Sequence, residues 1–186
     1  MQDLKNDCIG VKAWPAKTAL MLLAMLMWSC SAPDDNVGTV DDLSRDRAIP
    51  YQIWLPDVAA RSGKVPLVVV SHGSGGEYSN HIWLVNALVA HGFAVAGLNH
   101  PANTTRDNTD AGVVSVWQRP RDITVLLDYL LSESRWADVI DAQHIGAAGF
   151  SSGGYTVIAL VGAIYDAELM TAYCTSEVRG KDCELA

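Results

Sequence analysis

The sequence predicts an α/β fold, a mostly parallel sheet with helices on both faces, and two observations carry that prediction. Segments of strand character and of helix character alternate along the chain. The strand segments are continuous apolar runs such as Val65–Ser71 (VPLVVVS), the pattern of parallel strands covered on both faces rather than the in-and-out alternation of a half-exposed sheet. Composition agrees. With 186 residues, 49% hydrophobic and 18% charged, the chain has one domain's length and apolar content sufficient for a core, far from the balance of a disordered chain.

Each element has its own local signal. Residues 49–55 mix β-branched and aromatic side chains around Pro50 and stop at Pro56, which predicts a strand near a sheet edge, where a proline's missing N–H is tolerated. Residues 65–71 form the first buried strand. Ser79 or Asn80 caps a helix running to His91, with Leu84, Val85, Leu88 and Val89 on one stripe and Gly92 as its stop. Residues 93–98 are the next strand. Pro120 suits the first turn of a helix whose inward face is Ile123, Leu126, Leu127, Leu130 and Leu131. Residues 145–150 are a third buried strand, and 152–161 a helix rich in Gly and Ala near its start.

The first thirty residues read as an address. Lys5, Lys12 and Lys17 precede an apolar run over residues 19–28, too short for the roughly 20 residues of a membrane span but suited to a signal-peptide core. Met27-Trp28-Ser29-Cys30 resembles a bacterial lipobox, which would make Cys30 the lipidated N-terminus and anchor the chain to a membrane. Residues 1–30 are thus expected to be a signal peptide or lipoprotein signal. They direct the protein to the periplasm, to a bacterial envelope membrane as an anchored lipoprotein, or to the outside. Residues 31–47 are polar and Asp-rich and read as a linker, and 48–186 as the folded part. A net charge of −8 argues against a nucleic-acid partner, since no basic surface is available to neutralise phosphates.

In a parallel sheet the ligand site lies at the carboxyl ends of the strands, so chemistry is sought after Val70, Leu98 and Phe150. Gly149-Phe150-Ser151-Ser152-Gly153 is a G-x-S-x-G between a strand and a helix, the context in which a sharp turn pushes a nucleophilic hydroxyl out of the sheet. Gly149 and Gly153 flank Ser151 because backbone segments there come too close for a Cβ. The helix starting at Ser152 points free N–H groups at the place where an oxyanion would form. After the first strand, Ser71-His72-Gly73-Ser74-Gly75-Gly76 is a glycine-rich loop that can turn the Ser74 N–H toward the same point. With the Ser152 N–H it would complete an oxyanion hole. A phosphate cradle is disfavoured because G-x-x-x-x-G-K-[ST] is absent. His72 reads as a brace of the oxyanion loop, and His100 as a pocket or support residue. No histidine pair has zincin spacing and there is no C-x-x-C, so neither a metal nor another cofactor is expected. Cys174 and Cys183 are candidates for a disulfide if the chain is exported.

At this point the motifs resemble a known group. Asp46-Arg47 with Ile49-Pro50, SHGSGG at 71–76, His100-Pro101-Ala102-Asn103-Thr104, Arg119-Pro120-Arg121-Asp122-Ile123 and GFSSGGYT at 149–156 resemble the α/β-hydrolases known as predicted dienelactone hydrolases. They are similar also to the platelet-activating-factor acetylhydrolases. The resemblance implies an α/β-hydrolase fold and a serine esterase acting on a small-molecule or lipid ester, with Ser151 as nucleophile and the backbone of Ser74 and Ser152 as oxyanion donors. Dienelactone hydrolases proper use Cys as nucleophile, so Ser151 favours the acetylhydrolase side, and Phe150 stands where His is commoner. In this fold the triad runs Ser, then Asp or Glu, then His, yet residues 152–186 contain no histidine. The expectation is therefore the N-terminal part of a longer hydrolase. The alternative is a non-catalytic envelope lipoprotein, or an inactive remnant, that uses the scaffold for binding.

Overall fold

A computed structural model of the chain describes residues 36–57, 63–180 and 183, all within the compact unit Asp35–Ala186. The expectations for residues 1–30, for Cys30 and for the start of the linker fall outside the described residues. Five strands, β1 (Val37–Asp42), β2 (Arg47–Trp54), β3 (Val65–Ser71), β4 (Ala94–Leu98) and β5 (Ile140–Gly149), form one sheet in the order β1-β2-β4-β3-β5. The pairings of β1 with β2 and of β2 with β4 are antiparallel, and those of β4 with β3 and of β3 with β5 are parallel. The parallel part is thus the three strands expected to carry the site. Their register is level: Ser71 stands opposite Leu98 on one side and Gly149 on the other, so the loops that follow all three leave the sheet at one height.

The helices are α1 (Ile82–Ala90), α2 (Asp110–Val114), α3 (Gln118–Ser132), α4 (Ser134–Ala137), α5 (Ser152–Leu160) and α6 (Ala167–Cys174). On one face of the sheet Ile123, Leu126 and Leu130 of α3 meet Ile49, Ile53, Leu67, Val69 and Leu98 in the larger core. On the other, Val85 of α1 packs against Val70 and Val95. The 3.6-residue stripe read from the sequence is therefore the buried face of α3. That helix begins two residues before Pro120, which still sits in the first turn, where its missing N–H leaves no bond unmade. Before α1 the chain makes a single 3-10 turn, Tyr78–His81, in place of the expected cap at Ser79 or Asn80. Asn80 instead joins Glu77 in a reciprocal capping box.

Two departures from the sequence reading have simple causes. Residues 37–42, read as part of a polar linker, form β1. Of its outward side chains Thr39 and Asp41 are polar and Val37 is exposed, so the strand is held by its backbone ladder to β2 and by Asp42, which Ser44 and Arg45 hydrogen-bond at the turn. Residues 145–150 read as a buried strand from their composition, but among the described residues β5 pairs with β3 alone, at the edge of the sheet, and is exposed from Ala142 to Ala147. Beyond α5, Asp166 caps α6 by accepting the N–H groups of Glu168 and Leu169 at 2.9 Å each, an element the sequence reading did not include. Among the described residues no helix is long and apolar enough to cross a membrane.

The core makes a direct prediction. Leu126 is fully buried between α3 and the sheet, so Leu126→Ala should lower the free energy of unfolding by about 2–5 kcal/mol, read from urea denaturation.

Candidate active site

The turn from β5 into α5 is strained and tightly packed. Ser151 has φ 54° and ψ −121°, a left-handed backbone conformation that side chains other than glycine seldom adopt. The neighbours leave no slack to relieve it. A Cβ on Gly149 would lie 2.2 Å from the Gly153 carbonyl oxygen, and one on Gly153 would lie 2.0 Å from that of Ser71. The Phe150 N–H also reaches the Ser71 carbonyl at 3.4 Å, and the Gly153 N–H closes the turn on the Phe150 carbonyl at 2.8 Å. Ser151 itself is exposed, at the mouth of the turn and ahead of the first N–H groups of α5, which have no partner inside the helix.

The glycine loop after β3 lies against this turn: the Cβ position of Gly73 is 3.5 Å from Ser151 Cβ and 3.4 Å from the Phe150 carbonyl oxygen. The Gly73 carbonyl accepts from the Gly76 N–H at 3.1 Å and from His72 Nδ1 at 2.6 Å. Because a trans peptide sets its N–H opposite its C=O, these two donors fix the direction of the Ser74 N–H. The His72 tautomer is fixed too. Its Nε2 faces the His100 N–H at 3.1 Å, a group that only donates, so the proton sits on Nδ1.

Behind the loop is a buried polar network that the sequence reading did not identify. Ser71 Oγ lies 2.9 Å from His100 Nε2, and His100 Nδ1 lies 3.0 Å from Asp122 Oδ2. Arg47 donates to both Asp122 oxygens, at 2.9 and 2.7 Å, and Arg45 Nη1 is 3.0 Å from Oδ1. Arg119, 1% exposed, donates to the His72 carbonyl, to Asn103 Oδ1 at 2.6 Å and to Thr156 Oγ1 at 3.1 Å. A signal for Arg119 and Asp122 was available. They fall on the same helical stripe as Ile123, Leu126 and Leu130, so charged residues occupied a face that the apolar period had marked as inward.

Burial sets the charge states of this network. It drives the His72 imidazole down to about 3, against a partial pull upward from the Gly73 carbonyl. It drives His100 down to about 4, although the hydrogen bond to Asp122 pulls the other way. For Asp122, burial alone would raise the carboxyl, but hydrogen bonds from His100 and Arg47 outweigh it and hold the group below the usual range. Burial lowers Arg119 to about 10, which leaves it charged at neutral pH.

The sequence candidates therefore divide. Ser151, Ser152, Gly149, Gly153, Gly73, Ser74 and His72 come together at one end of the sheet. His100 is fully buried and supports the loop from behind instead of lining a pocket. Cys174 and Cys183 lie away from the turn, joined by a disulfide with sulfurs 2.08 Å apart. Next to the turn is a cleft of about 200 Å³ lined mainly by Val70, His81, Trp83, Leu84, Ala148 and Phe150. Among the described residues no group of His, Cys, Asp and Glu is placed to hold a metal ion.

Comparison with known proteins places this architecture. A ferulic acid esterase from Streptomyces cinnamoneus superposes with a TM-score of 0.58 at 20% identity, over 67% of this chain and 54% of that one. Est1E from Butyrivibrio proteoclasticus gives 0.51 at 21% identity, over 68% and 45%. The fold is that of the α/β-hydrolases. In sequence, the chain is 33% identical over 89 residues to cutinase Est2 of Thermobifida alba, a stretch that is 47% of this chain and 27% of the cutinase. Cutinase Est1 of the same organism matches with the same figures. No family model matches the chain. The α/β-hydrolase likeness thus spans about a quarter of the curated relatives and about half of the solved neighbours, and it does not reach the dienelactone-hydrolase or acetylhydrolase subgroup.

Two predictions follow from the packing and the charge states. A Cβ on Gly154 would meet only the Gly149 carbonyl oxygen, at an ordinary 3.7 Å. Gly154→Ala should therefore be neutral or stabilising by up to about 1 kcal/mol, whereas Gly153→Ala should lower the urea midpoint strongly. His72 and His100 stay neutral in the folded chain down to about 3 and 4, yet each takes up a proton near 6.5 once unfolded. Unfolding therefore absorbs protons between these values. Stability should fall by an order of 3 kcal/mol as pH drops from 7 to 5, measured by urea titration at each pH.

Proposed function

We propose that the protein is an exported serine carboxylic-ester hydrolase that works through an acyl-Ser151 intermediate. The observation that carries this reading is the strained, exposed Ser151 at the β5–α5 turn, with the glycine loop in contact beside it. In the reaction Ser151 Oγ attacks the ester carbonyl carbon. The carbonyl oxygen gains the negative charge and takes hydrogen bonds from the Ser74 and Ser152 N–H groups, and the alcohol leaves with a proton. Water then attacks the acyl-Ser151 carbonyl and releases the acid. The apolar cleft beside Phe150 suits a nonpolar group of the ester. The esterases and cutinases among its relatives support an ester substrate, and the basic-then-apolar run before Cys30 supports export.

The proton acceptor is assigned outside the buried network. Both ring nitrogens of His72 and of His100 are engaged, and neither ring takes a proton readily. We place the base and its carboxylate in the portion of the relatives that this chain does not span.

A fluorophosphonate probe tests the reading. The expected result is one label per chain on Ser151, located by peptide mass spectrometry and lost in Ser151→Ala, with slow turnover of a p-nitrophenyl ester. A well-folded sample that takes no label would favour the alternative, a non-catalytic protein using the scaffold for binding.

A further inference from the structure

Arg119 is a buried cation whose hydrogen-bond partners are all neutral. Asp122, three residues on, is taken up by Arg45, Arg47 and His100. The partners of Arg119 come from three separate parts of the chain: Ser71 Oγ, at 3.5 Å, and the His72 carbonyl at the end of β3; Asn103 Oδ1 after β4; and Thr156 Oγ1 on α5. Burying a guanidinium without a carboxylate is expensive, and apolar packing would join the same elements at lower cost. What the guanidinium supplies instead is direction, because it is planar and only donates.

That direction reaches both sides of the proposed oxyanion hole. Arg119 can face only the oxygen of the Asn103 amide, so the Asn103 NH₂ must face the other way. There it donates to Ser74 Oγ at 3.0 Å and to Asn108 Oδ1 at 2.9 Å. On the other side Thr156 accepts from Arg119 Nε, and its own hydroxyl donates to the Ser152 carbonyl at 2.8 Å, in the first turn of α5. One side chain thus holds Ser74 through Asn103 and the start of α5 through Thr156, while it grips the His72 carbonyl between them.

We propose that Arg119 is a positioning residue that locks the glycine loop and the Ser151 turn to one another, so that the Ser74 and Ser152 amides keep a fixed separation. The catalytic consequence rests on the ester-hydrolase reading; the mechanical coupling does not, and the two are tested by different readouts. Amide hydrogen exchange on the whole chain tests the coupling. Thr156→Val, on the α5 side, should speed exchange in residues 72–76 across the guanidinium. Asn103→Leu, on the loop side, should speed it in residues 152–154. Each rise should be about threefold or more, with β4 and α1 unchanged and Thr156→Ser restoring the wild-type rates. Exchange that rises only beside each substitution, or evenly over the chain, would overturn the coupling.

Fluorophosphonate kinetics test the consequence. In Arg119→Lys and Thr156→Val the maximal inactivation rate should fall about tenfold or more while the half-saturating probe concentration stays within about twofold, since binding is kept and alignment is lost. An unchanged maximal rate in the folded Thr156→Val protein would overturn the positioning role. No labelling of the wild-type chain would remove the hydrolase reading and with it the catalytic consequence, leaving exchange to decide the coupling.

Discussion

The ion pair between Arg47 and Asp122 is the interaction on which the carboxyl end of the sheet depends. Asp122 is fully buried on α3, so its charge is tolerable only because Arg47 reaches both of its oxygens and Arg45 and His100 reach it as well. From that anchored carboxylate the order propagates outward. Asp122 fixes the His100 ring, whose Nε2 then faces the Ser71 hydroxyl at the end of β3, and the backbone N–H of the same His100 faces His72. His72 in turn sets the Gly73 carbonyl. A charge on the buried side of a helix is thereby connected to the orientation of a surface amide in the glycine loop, through rings whose tautomers leave no alternative.

The same rigidity explains how a serine can hold a left-handed conformation. A non-glycine residue at φ 54° carries strain of about 1–3 kcal/mol, which persists only where the surroundings over-determine the backbone. Here the surroundings do so twice. Gly149 and Gly153 bring the two arms of the turn into direct backbone contact, and the Ser71 carbonyl receives the Phe150 N–H while it abuts Gly153. A Cβ at Gly149 would push the start of α5 away, and one at Gly153 would push against the end of β3, the strand on which the histidine network is built. The turn and the network are therefore not independent features.

The strands and their order of use were legible because burial on both faces leaves an uninterrupted apolar run, and the turn was legible because its glycines are required by contact rather than by taste. Strand β1 was hidden, since a sheet-edge strand held by backbone bonds leaves its side chains free to be polar. The composition of β5, rich in Ala, Gly and Ile, is that of a covered strand, and its exposure comes from its place at the edge of the sheet. The polar network was the deeper omission. Arg119 and Asp122 look like ordinary charges at a helix start, and only their phase with Ile123 and Leu126 marks them as inward. Asn103 and Thr156 have no phase to read, because a loop residue and a helix residue acquire their roles only when the guanidinium arrives between them.

Two serines of this chain illustrate why geometry alone does not define a catalyst. Ser71, His100 and Asp122 stand at 2.9 and 3.0 Å in the relay of a hydrolytic triad, with the imidazole bridging hydroxyl and carboxylate. Yet all three are fully buried, and Arg119 adds a second contact to the same hydroxyl. No ester can approach Ser71 from solvent. Ser151 has the complementary set: an exposed hydroxyl, a helix start behind it and a glycine loop beside it, with the relay residues bracing that loop from the interior. The hydrogen-bonded serine is the scaffold, and the strained one faces the solvent from which a substrate would come.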